Sequence, residues 1–397
     1  MSNIREYVKT KDQPEKEKLQ GKITHHRRSI FYRLLLFILV IIGIFGVLYI
    51  QWNNKIYKSY DVLTSVEKQE ISDTETIELS GNILTYSKDG ISCSNVGGEA
   101  VWNQTFEMQE PLIETSKDKV AIGDYNGRTI YVMDTTQVLG EITTNLPIRY
   151  FAVSAGGVVA TVLEDTDITW IYVYDDQGGV IAKFRTTMDQ SGYPVAVNIS
   201  DSSEIVNVSY LKVVDDKMVT SVAYYNFGDV GQNASSDRLV SAYDYSDMVV
   251  PTLGFLDDET SFAVSDSRIM FYKGKQKPVS ENEIILQDEV HSVFYGDGYV
   301  GLVYIDTSGE NKYRMDVYNT TGKLILQKAF NIEYSNILFT NKNILIYNPD
   351  QCILCNMAGT EKYNGTFEKQ IQIIIPTAKA NRFVLVGGEY IDTIELK

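Results

Sequence analysis

Residues 148–187 read IRYFAVSAGGVVATVLEDTDITWIYVYDDQGGVIAKFRTT. The stretch contains four short segments in which apolar and polar residues alternate, and small or acidic residues separate these segments. Alternation with a period of two predicts four β-strands. The sequence DDQGG at 175–179 predicts a tight hairpin between the third and fourth strands, because glycine adopts positive φ without strain.

The same four-stranded unit recurs along the chain. Its second hairpin reappears at 91–102, 129–142, 314–326 and 353–363. The first strands begin near Thr76, Leu112, Ile148, Pro194, Val250, Val290, Tyr334 and Ile371. A unit of about 40 residues with four strands predicts an all-β propeller of about eight blades. The alternatives are seven blades, with the first unit as a partial copy, and a pair of β-sandwiches.

The last repeat is incomplete. It ends at Lys397 after three strands, and a ring left open there would expose an unpaired strand edge. We therefore expect the segment Tyr60–Glu67, YDVLTSVE, to supply the missing outer strand of the last blade.

One segment departs from the globular pattern. Residues from Leu34 to Trp52 include no charged side chain, and a helix of this length rises about 28 Å, the thickness of a bilayer core. The basic residues before it, Arg27, Arg28 and Arg33 among them, outnumber those after it. The positive-inside rule then predicts a single-pass signal anchor in the cell membrane, with a cytoplasmic N-terminus and an extracellular C-terminal domain.

These patterns divide the chain into four predicted regions. They are a cytoplasmic basic tail at 1–33, a transmembrane helix at 34–52, a linker with the ring-closing strand at 53–75, and an extracellular propeller at 76–397. A cleaved signal peptide is the alternative to the anchor, but it fits poorly because a long basic region precedes the apolar run.

The hairpin turns resemble those of quinoprotein-like or WD-type propeller blades, which read apolar-Asp-x-x-Thr-Gly-Lys-x-x-Trp. The turn at 318–323, YNTTGK, matches that pattern but has Leu326 in place of the tryptophan. The turn at 94–98 keeps the tryptophan, as Trp102. In such blades the tryptophan docks one blade on the next, so the resemblance implies that mixed apolar residues do so in most blades here.

The whole layout is similar to a domain-of-unknown-function family of membrane-anchored β-propeller proteins from Gram-positive bacteria. The similarity covers nearly the full length and rests on the layout. It implies no particular activity and no catalytic residues.

The charge balance excludes one class of partner. Asp and Glu number 52 against 36 Lys and Arg, which leaves a net charge of −16. A nucleic-acid-binding protein needs a basic surface to neutralise phosphates, so we expect no nucleic-acid partner.

Residues with catalytic or metal-binding chemistry are sparse. His291 is the one histidine beyond residue 26, and we expect it to face solvent or to bind a backbone carbonyl. Cys352 and Cys355 form a C-x-x-C on a strand, where residues three apart point to opposite faces, so we expect buried fillers, like Cys93. The acidic clusters coincide with turns. We predict no catalytic residue, no metal site and no cofactor.

These observations predict a non-catalytic cell-envelope protein that binds a protein or cell-wall polymer outside the cell. The irregular segments Gly228–Asp237 and Asp201–Asp216 are the predicted partner site, because long loops often carry binding. The acidic surface favours a basic partner or divalent cations. The alternatives are an extracellular sensor and an envelope hydrolase, which would need two channel carboxylates, one with a raised pKa.

Overall fold

The structure, a computed structural model, describes residue 26, residues 30–46 and residues 54–397, without 70, 165, 167, 188–190, 236 and 341. The chain forms two compact units, Met1–Ile56 and Tyr57–Lys397. In the first unit, residues 30–46 form helix α1. Within the described part of the chain, no helix combines the length and apolar character that a membrane crossing requires.

The predicted transmembrane span is therefore not supported by the structure. Its residues from Leu34 to position 46 lie in α1, whereas the remainder, through Trp52, is outside the described residues. Among the predicted topogenic arginines, Arg33 lies in α1, and Arg27 and Arg28 are also outside the described residues.

The second unit contains eight antiparallel sheets of four strands each, which confirms the all-β propeller with eight blades. Blade 1 consists of β2 Glu75–Leu79, β3 Asn82–Tyr86, β4 Gly90–Ser94 and β5 Ala100–Thr105, and blade 2 consists of β6 Pro111–Ser116, β7 Lys119–Asp124, β8 Thr129–Asp134 and β9 Val138–Thr143. Blade 3 consists of β10 Ile148–Val153, β11 Val159–Glu164, β12 Thr169–Tyr174 and β13 Val180–Thr186, and blade 4 consists of β14 Tyr193–Ile199, β15 Ile205–Val214, β16 Lys217–Asn226 and β17 Leu239–Ser246.

The second half of the ring follows the same order, with a short helix, α2 Asp229–Ala234, inserted in blade 4 between β16 and β17. Blade 5 consists of β18 Thr252–Phe255, β19 Thr260–Val264, β20 Arg268–Lys273 and β21 Val279–Ile285, and blade 6 consists of β22 Ser292–Gly296, β23 Tyr299–Ile305, β24 Tyr313–Asn319 and β25 Leu324–Phe330. Blade 7 consists of β26 Asn336–Thr340, β27 Asn343–Tyr347, β28 Gln351–Asn356 and β29 Glu361–Thr366, and blade 8 consists of β30 Ile373–Pro376, β31 Arg382–Val386, β32 Tyr390–Leu396 and β1 Tyr60–Glu67. The first strand of every blade begins within two residues of its predicted position.

The ring closes as the sequence predicts. Strand β1 pairs antiparallel with β32, from Tyr60 opposite Leu396 to Glu67 opposite Tyr390. Just before β1, the backbone N–H groups of Lys58 and Ser59 donate to the carbonyl of Lys397. Blade 8 therefore joins the two ends of the unit and leaves no gap in the ring.

The hairpin between the third and fourth strands has a local chemical cause. In five blades the first turn residue is Asn or Asp, and its side-chain oxygen accepts hydrogen bonds from backbone N–H groups two to four residues further on. These residues are Asn95, Asp134, Asp175, Asn319 and Asn356. The turn glycine Gly322 has φ of +70°, which a side chain would strain. The repeated motif thus encodes a turn.

Apolar side chains dock each blade on its neighbours, as expected. Leu326, which replaces the tryptophan, is buried between blades 6 and 7. Tyr363, at the same distance from the turn glycine in blade 7, is buried between blades 7 and 8. Trp102 donates its indole N–H to the carbonyl of Asp134 in blade 2, at 2.9 Å.

The three cysteines confirm the expectation of buried fillers. Cys93, Cys352 and Cys355 are buried and free. Burial raises the thiol pKa of Cys93 to about 11 and that of the other two to about 12, so the unreactive thiol form dominates at neutral pH.

The propeller has two faces, which differ in the loops they bear. The connection face carries the links between blades and the loops between second and third strands. The turn face carries the hairpins between first and second and between third and fourth strands, and Lys397 ends there beside Ser59. The first strands of neighbouring blades contact one another around the central channel.

Candidate binding face

Blade 4 is the irregular blade of the ring. Its two middle strands, β15 and β16, have ten residues each, whereas the other described strands have four to eight. Their hairpin extends the sheet on the connection face, and Asp215 and Asp216 at its turn have φ of +50° and +60°. Val213, Val214 and Met218 near this turn are 72%, 43% and 43% exposed. We call residues 213–218 the hairpin tip.

The root of the hairpin is held by hydrogen bonds. The Thr220 hydroxyl donates to the carbonyl of Met248 at 2.6 Å, and the backbone N–H of Asp247 donates to the carbonyl of Met218 at 2.8 Å. Strand β17 pairs with β16 from Val219 onward. The tip therefore stands on a supported sheet, and its apolar side chains face water.

The two segments predicted as one partner site lie apart. The segment Gly228–Asp237 contains α2 and connects the third and fourth strands of blade 4, so it lies on the turn face. The segment Asp201–Asp216 begins on the turn face and runs through β15 to the hairpin tip. Of these two segments, only the part that forms the hairpin tip lies on the connection face.

A groove lies beside the hairpin root on the same face, between blades 5 and 6. Its volume is about 420 Å³, within the range of known ligand pockets. Most of its lining is apolar or carries hydroxyl groups, and two carboxylates and one imidazole complete it. The lining residues are Val249, Pro251, Thr252, Val264, Ser265, Asp266, Glu289, Val290, His291, Ser292 and Val293.

His291 lies on the exposed side of this groove. Its side chain is exposed, as predicted, and its ring stacks on that of Tyr313 with centroids 5.8 Å apart. The ring of Tyr334 meets it edge to face, and the Tyr334 hydroxyl lies 2.6 Å from that of Ser292. The imidazole is thus held as part of an aromatic wall.

The groove contains two carboxylates, Asp266 and Glu289. Asp266 and Glu289 are exposed, and neither forms an ion pair among the described residues. Arg268 pairs instead with Glu283, and Arg314 pairs with Asp288 at 2.9 Å. The rim of the groove therefore carries negative charge.

The central channel contains a second polar cluster. The surrounding protein desolvates the carboxyl of Glu114, in β6 of blade 2, and raises its pKa to about 7, although the side chain is exposed to the channel. Burial and the charge of Glu114 raise the pKa of Tyr295, in β22 of blade 6, although 47% of that side chain is exposed. The amide of Asn198 in blade 4 lies within hydrogen-bonding reach of the Tyr295 hydroxyl. Blades 2 and 6 are opposite one another in an eight-bladed ring, so Tyr295 extends across the channel.

This cluster meets one of the two requirements of the hydrolase alternative. Glu114 has the raised pKa of a general acid, but desolvation alone accounts for the shift. The side chains brought beside it are a tyrosine and an amide, and the structure brings no second carboxylate to it in the described part of the channel. Among the described residues, no group of three or more His, Cys, Asp or Glu side chains could hold a metal ion.

The acidic cluster at Asp257 and Asp258 lies at the turn between the first two strands of blade 5. Asp257 accepts hydrogen bonds from the N–H groups of Glu259 and Thr260. Asp258 accepts one from the N–H of Ser202 in blade 4, at 3.1 Å. These carboxylates stabilise loops on the turn face, as predicted.

The amino-acid sequence matches a family of unknown function, DUF5711, over residues 53–396. The chain belongs to this family. No curated protein sequence matches it.

Solved structures share the architecture of this DUF5711 propeller. BamB from Moraxella catarrhalis is 11% identical with a TM-score of 0.51, and the match covers 85% of this chain and 100% of that one. Apo AztD from Citrobacter koseri is 9% identical with a TM-score of 0.50, and the match covers 75% and 87% of the two chains. At such identities the likeness shows the fold alone.

The sequence analysis identified parts of this DUF5711 face and missed the rest. It named His291 and the segment that ends at the hairpin tip, but it did not predict the groove. The groove forms where the links before β18 and β22 and the loop after β19 meet. No pattern in one segment indicates that these three segments meet, although the acids Asp266 in the loop and Glu289 in the link were a usable signal.

Proposed function

We propose that this protein is a membrane-anchored, non-catalytic propeller that binds a protein of the cell envelope through its connection face. The observation that carries the proposal is the hairpin tip, where Val213, Val214 and Met218 face water on a rigid extension. Exposed apolar side chains grouped in this way are typical of interaction sites. A partner that covers the tip would bury these three side chains.

The anchor in this proposal rests on the sequence. The uncharged run from Leu34 to Trp52 and the basic residues before it support a single span with the propeller outside the cell. Flotation of native membranes tests it. The full chain should float with the membranes, and a variant with Leu39→Arg and Ile42→Arg should not. Equal flotation of the two proteins would contradict the anchor.

The binding role is tested by photo-crosslinking in native membranes. A benzophenone amino acid is placed at Val213 of the full chain, and at Val180 in the matched control. Val180 is also a valine, 53% exposed, on the outer strand of blade 3. We expect the probe at Val213 to yield one or two discrete protein adducts, identified by mass spectrometry, that the control lacks.

The result that contradicts the proposal is equally definite. The same adducts from both positions, or none from Val213, would mean that the hairpin tip does not dock a protein. Recovery of glycan instead of protein at Val213 would favour a cell-wall polymer as the partner. A double variant, Val213→Ser with Met218→Ser, should lose the adducts of a nearby probe at Val214 without changing the unfolding midpoint.

A further inference from the structure

The groove between blades 5 and 6 combines an apolar floor with an acidic rim. Val249, Pro251 and Val293 present apolar surface to it. Asp266 and Glu289 stand at its edge. The described lining contains no lysine or arginine, so the charge of the groove has one sign.

This charge is available to a partner. Arg268, two residues from Asp266, already pairs with Glu283, and Arg314 pairs with Asp288, the residue before Glu289. A cation that reaches the rim would therefore displace no internal ion pair. A lysine or arginine side chain also has an aliphatic stem that packs on apolar surface while its charged end stays near water.

The groove is continuous with the hairpin tip. Asp247 donates its backbone N–H to the carbonyl of Met218 in the tip, and Met248 accepts a hydrogen bond from Thr220. The next residue, Val249, is already part of the groove lining. A peptide segment that covers the tip can thus continue along the connection face into the groove.

We propose that the groove binds a cationic, aliphatic segment of the partner protein, with a lysine or arginine at the rim of Asp266 and Glu289 and an aliphatic side chain on the valine floor. The inference rests on the proposed function and adds the chemistry of the segment that is recognised. It also explains why the apolar tip and the acidic groove share one face.

The test measures binding of a model peptide to the full chain in lipid nanodiscs. The probe is a fluorescein-labelled decapeptide of alternating lysine and leucine, followed by fluorescence anisotropy. The double variant Asp266→Asn with Glu289→Gln should weaken binding about fivefold, because two screened ion pairs are lost. The matched control is Asp89→Asn with Glu107→Gln. These two acids are exposed at the equivalent places of blade 1 and the link to blade 2, and their loss should change binding less than twofold.

Two further peptides separate the roles of charge and apolar contact. A lysine–serine decapeptide should bind at least fivefold more weakly than the lysine–leucine peptide, and a glutamate–leucine peptide should not bind. Equal weakening by the two double variants would show a net-charge effect and overturn the inference. So would equal binding of the serine and leucine peptides.

The outcome also distinguishes this inference from the proposed function. If the lysine–leucine peptide fails to bind while Val213 still crosslinks to a protein, only the assignment of the groove is wrong. If Val213 gives no protein adduct, the proposed function fails, whatever the peptide does.

Discussion

Blades 7 and 4 share one topology and differ in nearly everything else. Blade 7 has strands of five or six residues, and every residue of β27 is buried. Blade 4 has strands of seven to ten residues, an added helix and a hairpin beyond the sheet. Both blades also bury polar side chains, among them Asn343 and Asn356 in blade 7 and Asn207, Ser209 and Tyr224 in blade 4.

The difference indicates where the propeller is stabilised and where it departs from its repeat. In blade 7 nearly every side chain of the middle strands packs between neighbouring blades, and burial of apolar area is the main source of stability. In blade 4 the added residues face water or form polar contacts. We infer that the repeat stabilises the ring, and that the departures serve recognition.

The largest expected effect lies in blade 7. Leu354 is fully buried among apolar side chains of blades 7 and 8. Leu354→Ala should lower the free energy of unfolding by about 3 kcal/mol, because a cavity replaces the side chain. Urea unfolding followed by tryptophan fluorescence measures the change. Leu324→Ala, at a leucine that is 43% exposed, is the control and should cost less than about 1 kcal/mol. Similar costs for the two variants would contradict the role of the repeat.

An intermediate effect is expected from the polar interior of blade 4. The Tyr224 hydroxyl lies 2.9 Å from the hydroxyl of Ser261 in blade 5, so Tyr224→Phe should cost about 1 kcal/mol by leaving a buried group unpaired. The matched control is Tyr174→Phe in blade 3. Its buried hydroxyl has no hydrogen-bond partner among the described residues, so its removal should be neutral or slightly stabilising. A cost for Tyr174→Phe equal to that for Tyr224→Phe would mean that the hydrogen bond between the blades contributes nothing.

The smallest effect concerns the channel, where Asn198 of blade 4 lies near Tyr295 and Glu114. Desolvation of the carboxyl raises the pKa of Glu114 from 4.5 to about 7. Between these two pH values the unfolded chain loses the proton and the folded chain keeps it, so this group lowers the stability of the fold as pH rises. Glu114→Gln should therefore gain stability relative to the wild type between pH 4.5 and 7, by about 1 kcal/mol or less, since water in the channel screens an accessible side chain.

The channel prediction is measured as unfolding midpoints at several pH values. Glu281→Gln, at an exposed glutamate on the outer strand of blade 5, controls for the loss of one negative charge. A difference between Glu114→Gln and the wild type that stays constant with pH would show that the folded protein does not desolvate this carboxyl.

Much of the fold could be predicted from local patterns. The period of two predicts strands, the Asn or Asp and Gly of the turn predict hairpins, and the incomplete last repeat predicts that Tyr60–Glu67 closes the ring. The membrane span was predicted from hydropathy alone, and among the described residues no helix supports it. The candidate face was predicted only in part, because the groove is formed by two links between blades and one loop within blade 5, which are separated in the sequence.

The sequence by itself determined the repeated four-stranded unit, the strand positions and the ring closure, because these depend on alternation and turn chemistry within a few consecutive residues. It left seven or eight blades open, and the structure has eight. The tertiary structure alone decided which side chains meet. It placed the hairpin tip beside the groove through the hydrogen bonds that join Met218 and Thr220 to residues 247 and 248. It also brought Glu114, Asn198 and Tyr295 together from three blades. Such meetings depend on closure of the ring, which brings distant strands to one axis and one face, and no local pattern encodes them.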